Sequence, residues 1–239
     1  ARAWTRADSG IENIDYPITF RDVDTAHNDL LSGPIDDDWI QIATAQSFGI
    51  EKYITEKNIP LNGVLEYNLA FGNLTGEAKT MDAIDILPFN GDARSPNSVV
   101  EGGYKLTGII DTKSLVNKIY VTSDDPSTLN SDPKNSSNPA VGTGKWKCTY
   151  EQIGTSGCPA DDEITGLRII SQPLTVGQYD LVQIQLTTFG NDGEEVYTNR
   201  FQARASGLAL PVSSSDVNAV TPPTTTSTST TSTTTTTTT

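Results

Sequence analysis

Between Tyr179 and Phe189 apolar and polar residues alternate. Val182, Ile184 and Leu186 fall on one side and Gln183, Gln185 and Thr187 on the other, the period of a strand with one wet face. Asn191, Asp192 and Gly193 follow, residue types that tolerate positive φ. The chain then resumes over 195–205 with Tyr197, Asn199, Phe201 and Ala203 in one register. This pattern predicts a β-hairpin. Comparable strands are predicted at 16–20, 39–43, 48–55, 64–71, 81–87, 104–110, 118–122 and 167–170, separated by Gly-, Pro-, Asn-, Asp- and Ser-rich stretches such as 88–97 and 123–144. No segment sustains a helical stripe. Many short strands with frequent turns predict an all-β chain, an Ig-like antiparallel β-sandwich.

Three polar residues stand where strand parity places the core. Lys52 shares its side with Phe48, Ile50 and Ile54, and Asn199 lies among Tyr197, Phe201 and Ala203. Asp85 is in register with Met81, Ala83 and Leu87, although Ile84 and Ile86 make its strand apolar on both faces. A buried Lys sheds its proton more easily and a buried Asp keeps its own, so the three suit a nucleophile, an acid and an amide. The same parity also suits a buried hydrogen-bonded network, or a Lys that snorkels to the surface.

The pattern divides the chain into an N-terminal extension (1–46), a sandwich (47–220) and a Thr/Ser-rich tail (221–239). The extension reads as the end of a preceding module, an extra edge of this sandwich, or a strand donated to a neighbour's sheet. In it Tyr16, Ile18 and Phe20 alternate with polar residues, and Pro17 suits an edge. The tail has nothing to bury. It reads as a flexible linker or an O-glycosylated stalk, with Thr224, Thr225, Thr226 and Thr228 among the acceptors. The chain starts at Ala1 and its only methionine is Met81, so it reads as a processed product or a piece of something longer.

Sixteen Lys and Arg against thirty Asp and Glu give a formal charge of −14, which disfavours nucleic acid and anionic membrane surfaces as partners. No apolar run approaches the roughly 18 residues of a membrane span. Cys148 and Cys158 flank a Gly-rich loop and predict a local disulfide, which fits an extracellular setting, with two unrelated buried thiols as the alternative. Asn73 and Asn135 head N-glycosylation sequons.

Catalytic chemistry finds little support. The single histidine, His27, lies in a polar stretch, and no phosphate-binding glycine loop or His-Glu-x-x-His pattern occurs, so no enzyme is expected. Cofactors are not expected either, calcium being the one ion to weigh. Asp22, Asp24 and Asp29 offer clustered hard oxygen ligands without a full loop motif.

Three stretches carry a family resemblance: 63–76 (GVLEYNLAFGNLTG), 81–92 (MDAIDILPFNGD), and 166–205 with its T-hydrophobic-R strand, Gly turns and Val-Tyr-Thr-Asn. From about residue 48 to 220 the chain resembles the bacterial conserved-repeat domain, domain of unknown function eleven, related to isopeptide-forming fimbrial and adhesin repeats. In those relatives a first-strand Lys, a last-strand Asn and an intervening acid form an autocatalytic bond. The resemblance therefore implies those roles for Lys52, Asn199 and Asp85. It also implies a cell-surface structural subunit or repeat of a fibre, stalk or adhesin, polymerising or abutting neighbouring modules. The alternative is an adhesive module that grips a host or glycan ligand through its loops. The 123–144 loop is the candidate surface, but it lacks aromatic and Arg anchors.

Overall fold

The computed structural model describes residues 18–21, 39–42, 48–208 and 210–223. The candidate calcium ligands Asp22, Asp24 and Asp29, His27 and the tail threonines lie outside them. Strands β1 (Ile18–Arg21) and β2 (Trp39–Ile42) pair with each other, Ile18 opposite Ile42.

The remaining described strands form an antiparallel sandwich. One sheet has the order β3-β4-β10-β6, from β3 (Phe48–Ile54), β4 (Val64–Asn73), β6 (Gly103–Asp111) and β10 (Tyr179–Phe189). The other is β13-β12-β5-β9-β7-β8. Its members are β5 (Met81–Ile86), β7 (Val116–Thr122), β8 (Cys148–Thr149), β9 (Gly166–Ser171), β12 (Phe201–Ala205) and β13 (Val212–Ser213). Just upstream of β12, β11 (Val196–Asn199) pairs with β14 (Val217–Val220). Alternate residues of both sheets interdigitate. Leu65, Tyr67, Leu69 and Phe71 meet Met81, Ala83, Leu167, Ile169 and Phe201 in one buried core.

The predicted strands form, but the predicted hairpin does not. β10 pairs with β4 and β6, while the chain after it crosses to the opposite sheet, so Val182, Ile184 and Leu186 pack across the core from Tyr197 and Phe201. The intervening turn is built for that crossing. The Glu195 carboxylate accepts the N–H groups of Asp192 and Gly193, and Asn191 Oδ1 accepts the Asn62 N–H at 2.7 Å.

Alternation is lost in β5 for a reason. Its outward Ile84 and Ile86 pack with Trp146, Phe89, Tyr120 and Leu129 in a second small core. The long 123–147 segment lies over this outer face. It is tied down by Arg168, which grips Asp82 through two bonds (2.9 and 2.7 Å) and donates to the Pro139 carbonyl. Arg204 likewise grips Asp132. The loop proposed as a gripping surface is thus folded onto its own sheet.

Cys148 and Cys158 are bonded, their Cα atoms 5.7 Å apart, and Cys148 packs into the main core. Closing so short a loop contributes about 2.5 kcal/mol on the chain-entropy model. Reduction is expected to lower the denaturation midpoint while leaving a single cooperative transition. Circular dichroism melts with and without reductant check this, and loss of all sheet signal on reduction would contradict it.

Where β6 and β10 end together, the Asp180 side chain is buried. Its Oδ1 accepts the Leu181 N–H at 2.7 Å, and the Asp111 carboxyl faces it. Burial, and then the facing Asp111 carboxyl, push its pKa up to about 6. A carboxyl raised on folding supports the native state below its unfolded pKa, near 4, and that support is lost as pH rises through about 6. Asp180→Asn is therefore expected to flatten stability between pH 4 and 6 and to stabilise the protein at pH 7 by about 1–2 kcal/mol. Urea midpoints across that range provide the check; a destabilised variant at pH 7 would refute the reading.

Candidate functional site

Lys52 occupies the middle of the edge strand β3, opposite Leu69 of β4, and its side chain enters the space between the sheets. There its ammonium meets Asp85 Oδ2 at 2.6 Å, with both side chains fully buried. Asp85 comes from the opposite sheet, where β5 places it beside Leu167 on one side and Phe201 on the other. Parity along β5 settles its direction: Met81, Ala83 and Leu87 are main-core residues, and Asp85 shares their face. Asn199 ends β11, two residues before Phe201, and is fully buried. Lys52 Nζ is 4.6 Å from the Tyr67 ring centre and 6.0 Å from that of Phe201. The Tyr67 hydroxyl donates to the Tyr197 carbonyl at 2.8 Å, which ties the wall of the site to the Asn199 strand.

Among the polar atoms buried without a hydrogen-bond partner are Asp85 Oδ1, both Oδ1 and Nδ2 of Asn199, and Oγ1 of the neighbouring Thr198. Each such atom costs about 1–3 kcal/mol in a finished core, and folded proteins rarely leave one. Three of these atoms belong to two of the three residues that parity selected. Burial pushes the Lys52 pKa down to about 8, against the opposing attraction of Asp85; the Arg94 guanidinium lowers it further. The amine is thus within reach of its neutral, nucleophilic form.

The other sequence-selected residues fare differently. Asn73 is fully buried: its Nδ2 donates to the carbonyls of Glu77 and Leu174, and its Oδ1 accepts from the Thr75 backbone and hydroxyl. In the folded domain the Asn73 side chain is thus closed off from solvent. Asn135 is half-buried in the long loop, its Oδ1 accepting the Ser137 N–H. Among the described residues no group of three or more His, Cys, Asp or Glu is arranged to hold a metal. What sequence reasoning passed over is Arg94, which is 7 % exposed and bonded to carbonyls on either side of the site. An Arg in a turn-rich stretch has no periodic signal to mark it.

No family model matches the chain. No curated protein matches it either. Solved structures align over most of the sandwich at low identity. A cohesin module from a Clostridium perfringens family 33 glycoside hydrolase aligns with TM-score 0.39 and 10 % identity, over 74 % of this chain and 100 % of that one. The C-terminal domain of the Streptococcus agalactiae AgI/II polypeptide BspA gives 0.37 and 10 %, over 72 % and 49 %. The full-length major pilin SpaD of Corynebacterium diphtheriae gives 0.37 and 12 %, over 73 % and 35 %. Likeness at this level assigns neither a family nor an activity.

Proposed function

We propose that this chain is a tension-bearing module of an extracellular, cell-surface fibre, stalk or adhesin, and that an internal Lys52–Asn199 isopeptide bond holds its two sheets together. The observation that carries the reading is the buried Lys52–Asp85 pair, with Phe201 paired to Asp85 and, two residues before Phe201, a buried Asn199 whose amide has no partner.

The chemistry follows from the environment. Burial disfavours the charged pair relative to its neutral form, reached when the Lys52 proton passes to Asp85. The neutral amine attacks the Asn199 side-chain carbon while protonated Asp85 donates to the amide oxygen. A proton from the attacking nitrogen then reaches the departing NH2 through Asp85. One C–N bond forms, one breaks, ammonia leaves, and Asp85 is regenerated. The new amide removes the unpartnered Asn199 groups from the core.

The topology gives such a bond a mechanical role. It joins the first strand of the sandwich to the strand paired with its last, since Asn199 lies opposite Val217 of β14. Pulled from its ends, the sandwich would release only 48–51 and the segment after Asn199, and the intervening strands would stay closed. Single-molecule stretching of the full chain tests this directly. The expected trace lacks the extension stored between Lys52 and Asn199, and Asn199→Ala restores it. Full-length extension of the wild-type chain would refute the proposal.

A further inference from the structure

The Asp85 and Asn199 strands do not pair with each other at the site: β5 pairs with β12 and β9, and β11 with β14. The pairing of Asp85 with Phe201 stops two residues short of Asn199, so a further tie is needed there, because amide formation needs the reacting groups at near-attack distance. The 90–98 loop supplies that link. Arg94 donates through Nη2 to the Ile86 carbonyl, one residue beyond Asp85, and through Nη1 to the Thr198 carbonyl at 2.6 Å, one residue before Asn199. The guanidinium is itself held. Asp92 pairs with Nη1 at 3.2 Å and accepts the backbone N–H groups of Arg94 and Ser98. The Ser98 hydroxyl lies within bonding distance of Asp92 Oδ2 and accepts the Thr198 N–H at 3.0 Å. Both backbone polar groups of Thr198, the residue before Asn199, are therefore gripped by one loop, and the same Arg grips the carbonyl of Ile86, the residue after Asp85.

We propose that Arg94, braced by Asp92 and Ser98, is a positioning residue for the cross-link, spanning the two strands so that Asp85 and Asn199 converge on Lys52. This rests on the isopeptide reading above. A planar guanidinium with donors in a fixed fork suits two carbonyls at a set spacing, which a Lys ammonium does not. Its charge also disfavours the ammonium form of Lys52, the direction the reaction requires.

The test follows cross-linking in the freshly purified full chain by intact mass over time, with circular dichroism to verify the fold. Misplacement by about an ångström slows an oriented reaction roughly a hundredfold. Folded Arg94→Met is thus expected to carry much unmodified mass at harvest, converting over hours to days. Arg94→Lys, which keeps a donor for one carbonyl, should fall between it and the wild type. Ser98→Ala, which frees the Thr198 N–H but keeps the guanidinium, should also react slowly. Arg168→Met removes a comparable ion pair on the outer face of β5 and should cross-link fully, which separates positioning from general destabilisation. If the wild type is cross-linked and Arg94→Met is equally complete at the first time point, the role of Arg94 falls and the bond stands. If the wild type carries no bond, both fall. Should Arg94→Met not fold, Arg94→Lys and Ser98→Ala decide: slowed reaction in folded chains supports the role, and full reaction in both overturns it.

Discussion

Asn199→Ala is expected to lower the melting temperature by about 10–20 °C, a very large effect for the loss of one buried carboxamide. The substitution leaves the Lys52–Asp85 pair in place and removes two unpartnered polar atoms, so on packing alone it should be mild or even favourable. Its cost comes from the missing covalent loop. Closing the long loop between Lys52 and Asn199 removes unfolded-state entropy worth about 5 kcal/mol on the chain-entropy model. For a domain of this size each kcal/mol shifts the midpoint by about 2–4 °C. Asp85→Ala should fall at least as far, because it also strands a buried ammonium. Differential scanning calorimetry of the three proteins checks the order, and an unchanged midpoint for Asn199→Ala would show that no bond was lost.

Trp146→Ala is expected to destabilise the protein by about 3–5 kcal/mol and to release the long loop from the sheet. Trp146 is fully buried against Ile84 and Ile86, and its indole N–H donates to Asn138 at 3.3 Å, so truncation empties the second core and unties the segment covering it. Trypsin should then cut at Lys134, Lys145 and Lys147 far sooner than in the wild type. An equally resistant loop would mean that the Arg168 and Arg204 pairs suffice to hold it.

These sites differ in how far alternation reveals them. Lys52 and Asn199 lie in strands with one apolar side, so parity alone places them in the core. Asp85 is harder to read, because β5 is covered on both faces and its outer cover is supplied by Trp146, some sixty positions away in a segment without periodicity. Alternation also identifies strands without naming their partners. The Asn191-Asp192-Gly193 turn fits a hairpin by composition, yet its groups are used by Asn62 and Glu195 to turn the chain between sheets. Asn73 shows the same limit in another form. The sequon marks a surface residue only if the side chain is free, and here four hydrogen bonds consume it inside the fold. Arg94 leaves no trace in any local pattern, since its meaning lies in two carbonyls that the fold brings together from distant strands.

The most direct measurement is the intact mass of the purified full chain, followed by tryptic mapping. The cross-linked protein is expected to have a mass lower by one ammonia, beyond the two hydrogens lost to the disulfide, together with a branched peptide joining Lys52 to Asn199 and no cleavage after Lys52. A mass without the ammonia deficit, with Lys52 and Asn199 recovered in separate linear peptides, would contradict it.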